Sequence, residues 1–157
     1  MVNLPDIESV WKSNEVCRAL GVSDNGSWVA TGVSIDSRTL SPGDLFIAIV
    51  GLKNDGHEFV DKAFSLKAAA AIVQNEFNEN FSSLVKVNST SEAIETLARC
   101  SRKRCEGKII AVTGSVGKTS VKEMLRLVLN DQGTVSATLG NLNNHWGFVL
   151  SKFPSID

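Results

Sequence analysis

The stretch IIAVTGSVGKTS, residues 109–120, decides which class of fold this chain is expected to adopt. Its first four residues, 109–112, form an apolar and mostly β-branched run, which is typical of a buried strand. A glycine-rich turn (113–117) follows, and the residues Lys118-Thr119-Ser120 come directly after it. Apolar residues then recur at helical spacing over residues 121–129. A strand, a glycine turn and a helix N-terminus in this order predict a phosphate-binding loop.

The residue types in this loop suit a nucleoside triphosphate. Glycine lets backbone amides approach the phosphates closely, and the N-terminus of the following helix contributes about half a positive charge. Lys118 adds a mobile charge for the outer phosphates, and the Thr119 hydroxyl is a suitable ligand for Mg²⁺. The residues predicted to bind the cofactor are Gly114, Ser115, Val116, Gly117, Lys118, Thr119 and Ser120.

Val112 departs from the general pattern for such loops, which has a glycine five positions before the glycine of Gly-Lys. The alternative interpretation is a chance glycine turn between a strand and a helix. The strand, the loop, the Lys-Thr pair and the amphipathic helix all occur in register, and this favours a subclass of phosphate-loop protein.

Composition narrows the class of protein. The 157 residues are 43% hydrophobic and 21% charged, which is typical of a globular chain. A net charge of −1 gives no case for a nucleic-acid or membrane partner, and the cytoplasm is the expected location. The three cysteines, without a C-x-x-C pair, predict reduced structural thiols. The basic run Arg102-Lys103-Arg104, with Arg99, predicts the solvated last turn of a helix, with a phosphate-binding patch as the alternative.

Strands alternating with helices predict an α/β fold. We expect a small α/β domain over residues 1–106, and then the start of a phosphate-loop domain with a parallel sheet over residues 107–157. The second domain is expected to be incomplete, because such a sheet needs several strands. The predicted strands cover residues 28–35, 45–50, 69–73, 84–87, 109–112 and 134–138. The predicted helices cover residues 13–20 with Ser13 as the cap, 59–66, and 91–102 with Ser89 and Glu92 as a capping box.

A second informative region lies earlier in the chain. Asp36-Ser37-Arg38 comes at a predicted strand end, where it can present donors to a phosphate or a nucleotide. Asp55-Gly56-His57 places an acid, a flexible hinge and an imidazole on one loop. Taken alone, this second triplet favours a simpler interpretation, in which Asp55 caps the following helix and His57 is merely exposed.

Three ordered motifs resemble the Mur ligase family. SIDSRTLSPGDLFIAIVGLKNDGHEFVDKA (34–63) is similar to the uridine-nucleotide domain with which these ligases begin. AVTGSVGKTS (111–120) is similar to the family's phosphate loop, which lacks the first glycine. GNLNNHWG (140–147) resembles the segment of the member that joins D-alanyl-D-alanine to a UDP-N-acetylmuramoyl-tripeptide. The resemblance covers nearly the whole chain.

The resemblance implies an ATP-dependent ligase of peptidoglycan synthesis. A UDP-N-acetylmuramoyl-tripeptide carboxylate would react with ATP to give an acyl phosphate, which D-alanyl-D-alanine would then attack. Lys118 would be the catalytic residue at the outer phosphates, and Thr119 would bind Mg²⁺. The implied substrate-binding residues are Ser37, Arg38, Asp55, Gly56, His57, Asn141, Asn143 and Asn144. For the three asparagines, the alternative is an Asn-rich turn.

Some features depart from the family pattern or leave alternatives open. Lys67-Ala68 stands where the family usually has Gly-Ala, and no proline follows the asparagine motif. The remaining active-site groups of the family are expected beyond Asp157, so this chain is expected to be inactive alone. The alternatives are a Mur ligase that adds the third peptide residue, and a non-catalytic module that binds a uridine nucleotide. A monomer is expected.

Overall fold

The computed structural model of the chain describes residues 11–24, 26–51, 54–105, 107–133, 135 and 137. Helices and strands alternate along these residues, which confirms the predicted α/β class. Their bounds are β1 (Trp11–Lys12), α1 (Ser13–Leu20), β2 (Val29–Ala30), β3 (Gly32–Ser34), β4 (Asp44–Ile47), α2 (Val60–Ser65), β5 (Ala70–Gln74), β6 (Leu84–Val87), α3 (Thr90–Arg104) and α4 (Lys118–Asn130). A short 3-10 helix (Gly56–Phe59) precedes α2.

The central element is a four-stranded parallel sheet in the order β3-β4-β5-β6. Its two inner strands, β4 and β5, are buried along almost their whole length, as expected for parallel strands covered on both faces. Leu45 and Ile47 of β4 face a core shared with α1 and α3, whereas Phe46 faces a second core shared with α2. The sheet therefore lies between two helical layers.

The predicted strand over residues 28–35 is wrong in one respect, because it is two strands that belong to different sheets. β2 pairs with β1 in a separate antiparallel ribbon, and β3 starts the parallel sheet. The break falls at Thr31, whose backbone N–H donates to the Gly43 carbonyl at 3.0 Å. Thr31 is thus bonded to the turn before β4, between the end of β2 at Ala30 and the start of β3 at Gly32.

The helix termini differ from the sequence prediction: α2 is shorter than the predicted 59–66, α3 is longer than the predicted 91–102, and the predicted cap of α1 is wrong. Ser13 is the first residue of α1 and not its cap, because Lys12 occupies the cap position and donates its backbone N–H to the Glu15 carboxylate at 3.3 Å. Gly21 ends this helix with φ +68°, as predicted. At α3, the Ser89 hydroxyl accepts from the Glu92 backbone N–H at 3.3 Å, which confirms the predicted N-terminal cap.

α2 ends in a Schellman motif that contains an unusual residue. The backbone N–H of Lys67 donates to the Phe64 carbonyl at 2.9 Å, and that of Ala68 donates to the Ala63 carbonyl at 3.0 Å. These bonds require the left-handed conformation at Lys67, whose φ is +66°. Glycine is the residue that takes this conformation without a steric cost, so the departure at Lys67-Ala68 introduces local strain.

The predicted strand over residues 109–112 is wrong: the structure assigns these residues to no strand. Ile109 and Ile110 are 44% and 56% exposed. A strand exists only through hydrogen bonds to a neighbour, and the described part of the chain pairs no strand with this segment. The helix that follows is confirmed as α4, and most of its large apolar side chains are exposed: Val121, Met124, Leu127 and Val128. The predicted strand at 134–138 falls mostly outside the described residues.

The last turn of α3 is basic and exposed, as predicted. Arg104 also contacts the start of the chain's described part: its guanidinium lies 3.9 Å from the centre of the Trp11 ring and forms a 3.5 Å ion pair with Glu15. None of the helices that the structure describes is long and apolar enough to cross a membrane.

Candidate functional site

The two substrate-binding triplets predicted from the sequence lie at the same edge of the sheet. Asp36-Ser37-Arg38 follows β3, and Asp55-Gly56-His57 follows the loop after β4. Because β3 and β4 are parallel neighbours, their carboxyl ends meet at one edge. Ligands of open parallel sheets bind at the carboxyl ends of the strands. The fold therefore brings both triplets to the edge where a ligand is expected.

In the first triplet, Asp36 holds the Arg38 side chain in a fixed orientation. Arg38 Nη2 donates to Asp36 Oδ2 at 2.6 Å and its Nε donates to Oδ1 at 2.9 Å, while its backbone N–H donates to the same Oδ1. These bonds lower the pKa of Asp36 and raise that of Arg38. The Arg38 side chain is 81% exposed, whereas Ser37 is buried. Arg38 is therefore the exposed donor of this triplet.

In the second triplet, Asp55 caps the 3-10 helix and pairs with His57. Its carboxylate accepts from the His57 backbone N–H at 2.9 Å and lies 2.6 Å from His57 Nδ1. The backbone bond is the main cause of the lowered pKa of Asp55, and the side-chain bond adds to it. The predicted cap is confirmed.

The prediction that His57 is merely exposed is wrong. Its side chain is only 12% exposed. Its Nε2 accepts the backbone N–H of Gln74, at the end of β5, at 2.9 Å. The ring of Phe77 also lies beside it, with a centroid distance of 5.8 Å. The imidazole is thus fixed between its own loop and the end of the neighbouring strand.

Gly56 is needed where the β4–α2 loop (described residues 48–51, 54 and 55) returns to the sheet. Its backbone N–H donates to the Ile49 carbonyl at 2.9 Å. A Cβ at this position would lie 2.6 Å from the backbone nitrogen of Ile49 and 2.8 Å from its oxygen. No side chain fits this approach, so Gly56 has a structural role in shaping the loop.

The sequence prediction missed Gln74 and Phe77, which contact His57 through a backbone amide and a ring. Two asparagines at the same edge were also missed: Asn75 Nδ2 donates to Asn88 Oδ1 at 2.7 Å. All four residues follow or end β5 and β6. Their positions at the carboxyl ends of buried strands were the available signal, because parallel strands bring such positions together.

The predicted phosphate loop has the backbone of an anion-binding helix N-terminus. Gly117 precedes α4 in the left-handed conformation with φ +78°, and Gly114 has φ +149°. Lys118 Nζ donates to the carbonyl of Gly114, across the loop. Val121 then begins the helical hydrogen bonds by donating to the Gly117 carbonyl at 2.9 Å. The first amides of a helix have no internal acceptor, so they are free to bind an anion.

The residues of this loop fit a triphosphate with a magnesium ion. Among the described residues, no carboxylate forms an ion pair with Lys118, so its charge is available to a phosphate. Thr119 is exposed on the first turn of α4. The described residues contain no group of three His, Cys, Asp or Glu side chains that could hold a metal. Mg²⁺ usually needs few protein ligands because phosphates and waters complete its coordination.

The three asparagines that the resemblance implies as substrate-binding residues lie outside the described residues: Asn141, Asn143 and Asn144.

Two family models match adjoining parts of the chain. The model described as "Mur ligase family, catalytic domain" matches residues 29–111. The model described as "Mur ligase middle domain" matches residues 112–153. The first match contains both predicted substrate-binding triplets, which lie at the edge of the sheet where its strands have their carboxyl ends (the carboxyl edge). The second match contains the phosphate loop.

Curated relatives are similar over most of the chain. A UDP-N-acetylmuramoyl-tripeptide–D-alanyl-D-alanine ligase from Rickettsia prowazekii is 38% identical over 144 residues, covering 90% of this chain and 32% of the relative. A UDP-N-acetylmuramoyl-L-alanyl-D-glutamate–2,6-diaminopimelate ligase from Buchnera aphidicola is 35% identical over 135 residues, covering 80% of this chain and 27% of the relative. The chain therefore spans about a third of the length of these proteins.

Solved structures share the fold. A UDP-N-acetylmuramoylalanyl-D-glutamyl-2,6-diaminopimelate–D-alanyl-D-alanyl ligase from Acinetobacter baumannii superposes with a TM-score of 0.74 at 27% identity, covering 97% of this chain and 35% of that one. The MurF ligase of Thermotoga maritima, solved in complex with ADP, gives a TM-score of 0.61 at 34% identity, covering 76% of this chain and 28% of that one.

Proposed function

This chain belongs to the Mur ligase family, and on that premise we propose that it is the part of a D-alanyl-D-alanine-adding ligase that binds the UDP-sugar peptide and ATP. One observation carries the proposal: the 38% identity to the Rickettsia ligase extends over 90% of the chain. A match of that extent includes the carboxyl edge and the phosphate loop together. The proposed division is a UDP-sugar-peptide domain over residues 1–106 and the start of an ATP-binding domain over residues 107–157.

The proposed reaction proceeds in two steps. A carboxylate oxygen of UDP-N-acetylmuramoyl-tripeptide attacks the γ-phosphorus of ATP, and the bond between that phosphorus and ADP breaks. The amine of D-alanyl-D-alanine then attacks the carbonyl carbon of the resulting acyl phosphate. The new C–N bond forms as inorganic phosphate leaves, and the amine releases a proton. Parts of the ligase that correspond to the remaining length of the relatives are required to complete this reaction.

The residues of this chain bind and orient the two nucleotides. Arg38, held by Asp36, offers its exposed guanidinium to the UDP-sugar, and an arginine fork matches the geometry of a phosphate. Lys118 exchanges its hydrogen bond with the Gly114 carbonyl for one with the outer phosphates of ATP. The Thr119 hydroxyl would provide one oxygen ligand to magnesium. That ion would supply positive charge to offset the charge of the outer phosphates.

Calorimetry on the 157-residue chain tests this proposal. We expect it to bind UDP-N-acetylmuramoyl-tripeptide, and to bind ATP only with Mg²⁺. Lys118→Ala should weaken ATP binding at least tenfold and leave the UDP-sugar affinity within about twofold, because one charge-assisted phosphate bond is worth about 1.5–3 kcal/mol. Lys108→Ala, an exposed lysine outside the loop, is the matched control. ATP binding that survives the loss of Lys118 would contradict its assigned role.

The same calorimetry also tests two alternative functions, each of which is favoured by one observation. The similarity to the diaminopimelate ligase favours a ligase that adds the third residue, and such a protein would bind UDP-N-acetylmuramoyl-L-alanyl-D-glutamate more tightly than the tripeptide. The two hydrophobic cores lie within residues 11–105, whereas α4 has no buried residue, and this favours a UDP-sugar-binding module. Such a module would bind the UDP-sugar but not ATP.

A further inference from the structure

We propose that His57 is a positioning residue: it fixes the β4–α2 loop against the end of β5, and the loop, not the imidazole, meets the substrate. The resemblance to the Mur ligases implied that His57 is a substrate-binding residue. The inference rests on the proposed function only for the identity of the ligand, a UDP-sugar peptide.

Both ring nitrogens of His57 already have partners. Nε2 accepts the Gln74 backbone N–H at 2.9 Å, so it carries the lone pair and not the proton. The proton then lies on Nδ1, which donates to the Asp55 carboxylate at 2.6 Å. The tautomer is fixed by these two bonds. A substrate could reach a ring nitrogen only by breaking one of them, in a side chain that is 12% exposed.

The β4–α2 loop is also held at its base by backbone contacts, one of which involves Asp55. Val50 and Asp55 form an isolated antiparallel bridge, and the Gly51 N–H donates to the Asn54 carbonyl at 2.9 Å. The Gly56 N–H closes the loop onto the Ile49 carbonyl. These bonds connect the loop to itself and to β4. His57 adds the connection to β5, the next strand of the sheet.

The β4–α2 loop lies at the same edge of the sheet as Arg38, the exposed donor of the first triplet. β3 is the neighbour of β4 on the other side, and Arg38 follows β3 at the same edge. The described residues at the tip, Gly51 and Asn54, are exposed. A ligand held by Arg38 would therefore lie next to a loop whose orientation depends on His57. Loss of the Gln74 bond would release the loop without removing a contact to the ligand.

Substitutions can separate the two bonds of the imidazole. A glutamine amide oxygen can reach the place of Nε2, so His57→Gln keeps the acceptor for Gln74. An asparagine amide reaches only the place of Nδ1, so His57→Asn keeps the donor to Asp55 and loses the acceptor. We expect His57→Gln to retain the affinity for UDP-N-acetylmuramoyl-tripeptide within about threefold. His57→Asn and His57→Ala should weaken it about tenfold, which corresponds to about 1.4 kcal/mol. Glu58→Ala, an exposed neighbour, is the control.

Nitrogen NMR of the wild-type chain avoids any question of whether a variant folds. The sequence has two histidines, His57 and His145, so the imidazole signals are readily assigned with a His145 variant. We expect His57 to show a protonated Nδ1 and a bare Nε2. Saturation with the UDP-sugar peptide should leave both signals in place and should shift the amides of Gly51 and Asn54.

Several outcomes would overturn the proposal. An Nε2 signal that moves when the ligand binds would make His57 a direct ligand, and equal losses for His57→Gln and His57→Ala would do the same. Wild-type affinity in His57→Ala would show that the loop does not depend on the imidazole. A wild-type chain that binds no UDP-sugar peptide would overturn the proposed function, and the role of His57 with it.

Discussion

The Gly43 backbone N–H donates to the Lys67 carbonyl at 2.8 Å, and both residues have a positive φ. The turn before β4 and the end of α2 are therefore joined through two left-handed residues. Gly43 is suited to its place, because a Cβ there would lie 2.9 Å from Thr31 Oγ1. Lys67, by contrast, has a side chain in the left-handed conformation, and this conformation is sterically costly for any residue other than glycine.

Lys67→Gly should stabilise the protein by about 1 kcal/mol. The left-handed conformation costs an L-residue with a side chain about 1–2 kcal/mol, and glycine removes that cost while losing some chain entropy on folding. Urea unfolding followed by circular dichroism measures the difference. The control is Lys62→Gly inside α2, which should lose about 1 kcal/mol because glycine disfavours a helix interior. An unchanged or lower stability in Lys67→Gly would contradict the strain at this position.

Gly56→Ala should destabilise the protein by about 2 kcal/mol or more. The new Cβ would overlap backbone atoms of Ile49 at 2.6–2.8 Å, and backbone cannot move aside as a flexible side chain can. Thermal unfolding measures the loss. Gly133→Ala is the matched control, since a Cβ there meets nothing within 4 Å. Equal melting temperatures for the two variants would show that the loop does not pack as closely as described.

Asp55 should make the protein sensitive to acid. Its pKa is lowered in the folded state, so the unfolded chain binds more protons between the folded value and the ordinary carboxyl value of about 3.9. The contribution of Asp55 is then fully present above the ordinary value and is lost as the pH falls through the folded one. Asp55→Asn should be less stable than wild type at pH 7, and the gap should narrow towards pH 3.

Unfolding titrations between pH 7 and pH 3 measure that gap. Asp61→Asn, on the exposed side of α2, provides the comparison. A gap of constant size for Asp55→Asn would mean that the carboxylate charge contributes nothing to folding.

Arg38→Ala should weaken binding of the UDP-sugar peptide about tenfold with little change in stability. Its pair with Asp36 is exposed, and such pairs contribute little to folding, whereas a bidentate contact to a phosphate is strong. Arg38→Lys should not restore the affinity, because an ammonium lacks the planar fork. Calorimetry provides the affinities, with Arg18→Ala, an exposed arginine on α1, as the control. Full affinity in Arg38→Ala would remove this residue from the site.

The sequence correctly predicted elements whose formation depends on residues close by in the chain. Ser89 and Glu92 correctly marked the start of α3, and the apolar runs of β4 and β5 were recognised because parallel strands are buried on both faces. The strand at residues 109–112 was predicted by the same rule and is wrong. A strand requires a partner as well as composition, and the sequence of one strand does not say whether its partner lies within reach.

Contacts within the site were also predicted only where the two partners are close together in the sequence. Asp55 was predicted as a cap because its acceptor role involves only His57, two residues away. The burial of His57 was missed because its other partner, Gln74, is 17 residues distant and contributes a backbone amide. No residue type identifies a backbone donor, so only the pairing of β4 with β5 places Gln74 beside the ring.

The strand order β3-β4-β5-β6 also has a consequence for biosynthesis. The strands of this sheet are arranged in the order in which they occur along the chain, so the sheet can be completed once β6 has been synthesised. Folding units that emerge first from the ribosome fold first. All four strands precede Asn88, whereas the phosphate loop begins 25 residues later, at Thr113. We expect a nascent chain to have formed its carboxyl edge by the time the ribosome exposes the phosphate loop.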